Sequence, residues 1–152
     1  DHWAHDLDVG GGRIIGEMCH FVDLSRFLVD SDILEFSSFN LDSNNSNLSY
    51  SDTVTANIKF SDGSISNISY YSNGSASFPK ERIEVFSQGE IFVIDDFKTL
   101  RKYNGVKVTK KVSRQDKGHQ ALLDQYFNSL RSKNNLMDFN NLFEVSNLMF
   151  KL

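Results

Sequence analysis

Glu17 and His20, with Arg13 before them and Asp23 after, are the residues in this sequence whose types and spacing could move a proton. They stand in Gly10-Gly11-Gly12-Arg13-Ile14-Ile15-Gly16-Glu17-Met18-Cys19-His20-Phe21-Val22-Asp23, where three glycines run into a helical pattern. That pattern continues to about Val29 and stops at Asp30-Ser31-Asp32. On a wheel of about 100° per residue, Glu17 and His20 share a face with Phe21, Leu24, Phe27 and Leu28, while Asp23, Ser25 and Arg26 point elsewhere. Two ionisable groups at the N-terminal end of an apolar face are costly to bury unless they find partners, and a cleft that admits a polar substrate would supply them. A neutral imidazole there is a usable general base. The competing reading makes both residues structural, with His20 donating to a backbone carbonyl and Glu17 pairing with Arg13 one turn away.

Other side chains offer weaker chemistry. His2-x-x-His5-Asp6 with His20 and Asp23 would make an oxygen and imidazole metal site, but no second motif supports it and no metal is assigned. Lys80, Glu81 and Arg82 could reach a phosphate or carboxylate of a substrate, or form a solvated turn before a strand. His119 follows Gly118 near a helix start and is expected to cap it, and Cys19 is expected to be a small packing residue. Gly10 to Gly12 are not a dinucleotide fingerprint, because they follow a loop and the sequence has no Gly-x-Gly-x-x-Gly turn after a strand.

The elements that must position these residues follow from periodicity. After the first helix the period changes to two, giving a strand over 33–41 and then an Asn/Ser loop over 42–52. Val54, Ala56, Ile58 and Phe60 alternate with polar residues up to the Asp62-Gly63 turn, and Ile65 to Tyr71 runs back. A second hairpin joins 82–86 to 91–94 through Gln88-Gly89, and a third joins 100–103 to 106–112 through Asn104-Gly105. Helical periods return over 116–132 and 139–151. Helices at both ends with hairpins between them predict an α+β domain, a largely antiparallel open-faced sheet with helices packed on one face. The uncovered face is expected to pair with a second copy, making a homo-oligomer.

Bulk properties narrow the function. A chain of 152 residues suits one domain, and a formal net charge of −4 without a basic stripe argues against nucleic acid. Cys19 is the single cysteine, which precludes an intrachain disulfide and suits a reducing cytoplasm. No apolar run approaches the roughly 20 residues that cross a bilayer, so no membrane association is expected. The chain opens at Asp1 without a methionine, and its first ten residues read as loop, so a fragment of a longer protein is expected.

The segment Gly10 to Asp23 resembles the signature of the Gfo/Idh/MocA oxidoreductases, in which a triple-glycine loop enters a helix bearing a catalytic histidine, with an aspartate three residues later. Phe60-Ser61-Asp62-Gly63-Ser64, Phe78 to Phe86 and Gln115-Asp116-Lys117-Gly118-His119 resemble a subgroup linked to bacterial surface polysaccharide synthesis. The resemblance implies that residues 1–152 are a C-terminal substrate-binding and oligomerisation domain, whose dinucleotide-binding partner lies outside this chain. It implies hydride transfer between a sugar or sugar-nucleotide carbon and NAD or NADP. His20 and Glu17 would then be catalytic, and Arg13, Asp23 and Lys80 would contact substrate. Many members have an aspartate four residues before the histidine, where this sequence has Gly16. The family's Glu-Lys-Pro lysine is also missing, since Pro79 is the sole proline and stands in Phe-Pro-Lys. Gly16 keeps a second reading in play, a non-catalytic module retaining the fold for oligomerisation or ligand sensing.

With no phosphate-cradling turn, this chain alone is expected to bind neither NAD nor NADP. Calorimetric titration checks this, and micromolar affinity for either would contradict it.

Overall fold

A computed structural model of the chain describes residues 9–41, 52–132 and 138–151. They form a π-helical turn (Ile14–Met18), helix α1 (Cys19–Val29), strands β1 (Ile33–Asn40), β2 (Thr53–Phe60), β3 (Ile65–Tyr71), β4 (Arg82–Ser87), β5 (Glu90–Asp95), β6 (Thr99–Tyr103) and β7 (Lys107–Lys111), and helices α2 (His119–Ser132) and α3 (Phe139–Met149). The architecture is α+β and wholly antiparallel, as expected, but the strands make two sheets, ordered β1-β2-β3 and β4-β5-β6-β7. The chain divides into two compact units, Asp1–Asn73 with Met137–Leu152, and Gly74–Leu136.

The first unit has a core built by alternation. Val54, Ala56, Ile58 and Phe60 of β2 are buried, and so is Ile68 of β3. A strand turns successive side chains to opposite faces, so this apolar set makes one covered face. Met18, Val22, Val145, Leu148 and Met149 cover it from the helices. The β2–β3 turn is formed as read: Gly63 has φ +90°, and the Asp62 carboxylate accepts from the Ser64 amide and hydroxyl, both at 2.9 Å. Those two bonds hold the Asp62 carboxyl below its ordinary range.

The inward row of α1 differs from the expected one. Met18, Val22 and Arg26 are buried, one turn apart, while Phe27 is 77 % exposed. Part of the cause is the π turn, whose wider i→i+5 bonding shifts the phase of the wheel ahead of Cys19. The rest is polar. Arg26, only 7 % exposed, donates through Nε to Glu144 Oε2 at 2.8 Å, and through one terminal nitrogen to Asp32 Oδ1 at 2.7 Å and Asn141 Oδ1 at 2.8 Å. Glu144 Oε1 also accepts from the Ile33 amide at 2.6 Å, so one carboxylate ties α3 to both α1 and β1. Asp30 ends α1 in the left-handed conformation, φ 54°.

The second unit is a four-stranded meander. Gln88-Gly89 turns between β4 and β5 with both φ positive, as the hairpin signal predicts. Asp96 and Phe97 also take positive φ between β5 and β6, a turn that Phe97 does not advertise. Between β6 and β7 the loop is Asn104, Gly105 and Val106, so Val106 stands outside the strand that was expected to include it. α2 begins at His119, the Gly118 carbonyl accepts from the Leu122 amide, and Asp116 accepts from the Gly118 amide. His119 is therefore the first helical residue and not the cap. α2 buries none of its residues.

Arg26→Ala takes the cationic partner from the Glu144 carboxylate, which is 25 % exposed and keeps the Ile33 amide, so the cost should be about 3 kcal/mol, the lower end for a fully buried pair. Denaturant unfolding of the variant should show a loss of that size, and one under about 1 kcal/mol would contradict the network's role.

Candidate functional site

Every expected site residue of the first unit lies on or beside the solvent side of the π turn and α1. Glu17, His20 and Asp23 are exposed, and Arg13 is half-buried. The burial of the Met18–Val22–Arg26 row explains this, because positions between those of an inward row on a helix face outward. Glu17 does not pair with Arg13. Its Oε2 accepts a 2.5 Å hydrogen bond from the Tyr70 hydroxyl, and Arg13 Nε lies 3.8 Å from the Asp52 carboxylate. The Cys19 thiol is part-buried against the core, and burial pushes its pKa up, which suits the packing role expected of it.

Tyr70 was not anticipated, although its place was readable. It stands opposite Val54 in the β2–β3 register, two residues beyond the buried Ile68, so it points toward the helices. Its ring centroid lies 6.5 Å from that of Phe21, one turn along from Glu17. Burial pushes the Tyr70 phenol well up, and the hydrogen bond and negative charge of Glu17 push it further; Asp52 adds to the rise and Arg13 opposes it. The sequence signal was the alternation of β3 read together with the helix above it. Side-chain identity alone gave none.

Gly16 is exposed, and a Cβ built there would meet nothing within 4 Å. An aspartate at that position would therefore fit without displacing a neighbour. Gly11 has φ +70°, and the nearest atoms a Cβ there would meet belong to Ile15, at 3.4–3.6 Å. Gly11 and Gly12, at φ +70° and +80°, give the backbone the left-handed turn that leads into the π turn.

Lys80 belongs to the second unit, where it is exposed just ahead of β4. Its neighbours are occupied. Glu81 shares a hydrogen bond with Asp96, and burial, then that bond, raise its pKa. Arg82 bridges Glu84 at 2.6 Å and Asp95 at 3.3 Å. Asp95 also pairs with Arg101, and Asp96 with Lys98. His2, His5 and Asp6 lie outside the described residues. Among the described residues no three His, Cys, Asp or Glu side chains gather as a metal site would require, and no helix is long and apolar enough to cross a membrane.

Comparison with solved structures finds the same fold in several oxidoreductases. UDP-N-acetylglucosamine 3-dehydrogenase GnnA from Acidithiobacillus ferrooxidans superposes with a TM-score of 0.77 at 16% identity, over 99% of this chain and 48% of that protein. Aldose-aldose oxidoreductase from Caulobacter crescentus, complexed with glycerol, gives 0.80 at 13%, over 99% and 48%. Levoglucosan dehydrogenase in complex with NADH gives 0.76 at 12%, over 98% and 49%. The chain carries their fold. These neighbours are oxidoreductases of the Gfo/Idh/MocA type, and at such identities the likeness is one of fold. The chain spans about half the length of each of them. No protein-family model and no curated protein matches it.

A phenol pKa raised by folding contributes stability that is complete below the unfolded value of about 10 and is lost as pH climbs past it. Urea midpoints measured between about pH 9 and 11.5 should therefore fall more steeply for the unaltered chain than for Tyr70→Phe. Parallel curves would show that Tyr70 is not held as described.

Proposed function

We propose that this chain is the substrate-binding and oligomerisation half of an NAD(P)-dependent sugar oxidoreductase, working with a dinucleotide-binding domain that residues 1–152 do not include. The observation that carries the reading is a histidine and a carboxylate one turn apart, both solvent-facing at the junction of a glycine-entered π turn and α1, on a fold shared with sugar oxidoreductases. π turns inside helices recur at functional sites, where they redirect a side chain.

A nicotinamide held by the partner domain would supply the hydride acceptor for the sugar carbon. The residues of this chain manage what is left. His20 takes the proton of the hydroxyl on that carbon, so that loss of hydride and proton leaves a carbonyl. Glu17 orients the sugar by accepting a hydroxyl hydrogen bond, which places the reacting carbon at the distance that hydride transfer requires. Arg13 and Asp23 contact the sugar on the same side of α1. The outer face of the sheet, where Phe39, Ile65 and Tyr71 are exposed, supports pairing with a second copy. The setting is the cytoplasm, with sugars or sugar nucleotides for surface polysaccharide as the substrate class.

The test uses the full-length protein with NAD or NADP and a panel of UDP-N-acetylglucosamine, levoglucosan and glucose, following reduced nicotinamide by absorbance. His20→Asn should preserve fold and cofactor binding and lower kcat by about 10²- to 10³-fold, the lower half of a general base's usual contribution. Glu17→Gln should cost less. A His20→Asn variant that unfolds, or that turns over unchanged, would remove the catalytic assignment and favour the non-catalytic module.

A further inference from the structure

The Tyr70–Glu17 contact spans two elements that share no local sequence, β3 and the π turn, and it binds one oxygen of the carboxylate expected to face substrate. Glu17 is exposed, and a solvent-facing carboxylate normally samples many rotamers whose loss must be met when a ligand binds. Here that loss is met before binding. Tyr70 is itself fixed, since its strand neighbours Ile68 and Val54 are buried and its ring packs against Phe21. Among the described residues Oε1 of Glu17 has no hydrogen-bond partner, whereas Oε2 is taken by the phenol.

Resting on the function proposed above, we propose that Tyr70 is a positioning residue that holds one Glu17 oxygen so that the other accepts a hydroxyl of the sugar ring. The ligand class at this point is a neutral hydroxyl donor. The free Oε1 of a carboxylate accepts a hydroxyl hydrogen and repels a like-charged phosphate oxygen. A sugar nucleotide would therefore present its ring here and keep its diphosphate elsewhere.

Tyr70→Phe removes one oxygen and keeps the ring against Phe21, so it isolates the contact. In the full-length protein, assayed with NAD and the same three sugars as probes, Tyr70→Phe should raise KM about 5- to 20-fold with kcat within about twofold, the pattern of lost uniform binding. Glu17→Ala, which removes both oxygens, should raise KM at least as much and lower kcat as well, and Tyr70→Phe with Glu17→Ala should be no worse than Glu17→Ala alone, because the phenol acts only through the carboxylate. A merely structural Tyr70 would lower the thermal midpoint and leave KM unmoved. An unchanged KM in Tyr70→Phe, or additive penalties in the double variant, overturns the proposal. Absence of turnover by the unaltered protein on all three probes is a different result, and overturns the functional reading beneath it.

Discussion

Arg26 is the constraint on which the first unit turns. A guanidinium taken almost wholly out of water loses several kcal/mol of hydration, and it is tolerated because its donors meet Glu144, Asp32 and Asn141 at 2.7–2.8 Å. A lysine could not replace it, since one point charge cannot reach along α3 and into the α1–β1 turn with fixed geometry. The remaining oxygen of Glu144 on the Ile33 amide makes the network close on β1 as well. α1, the adjacent start of β1 and the distant α3 thus meet at one charge, and α1 has one rotation that satisfies it.

That rotation decides what α1 shows to solvent. With Met18 and Val22 fully buried on the same row as Arg26, the side chains of Glu17, His20 and Asp23 face outward. Ser25 and Ser66, 3.0 Å apart, add a polar tie between α1 and β3 farther along. Tyr70 then meets Glu17 from the sheet. The chemistry of the site follows from packing: the buried row is what leaves an imidazole and a carboxylate available, and the strand beneath supplies the phenol that restrains one of them.

Much of this was readable in the residues, and the failures have physical causes. Alternation in β2 and the Asp62-Gly63 and Gln88-Gly89 turns announced their strands, because period and positive φ are local properties. The split into two sheets was not announced, since residues 72–81 resemble any polar connection and whether they pair is a long-range matter. The Asp96-Phe97 turn was missed because Phe rarely takes positive φ, and here the flanking ladders impose it. The wheel for α1 failed because it ranked Phe27 and Leu28 above an arginine, when partners more than a hundred residues away could make that arginine the buried one. His20 and Glu17 stand out as candidates from type and spacing alone, whereas the place of Tyr70 beside Glu17 needed the sheet.

A shared fold does not transmit an activity, so the weight falls on whether the exposed face of α1 meets a sugar. The most direct measurement is carbethoxylation of the full-length protein by diethylpyrocarbonate, read residue by residue by mass spectrometry, with NAD bound and with or without UDP-N-acetylglucosamine, levoglucosan or glucose. Both His20 and His119 are exposed and should react when no sugar is present. The account predicts that sugar shields His20 and leaves His119 labelled as before; equal labelling of His20 with and without every sugar would contradict it.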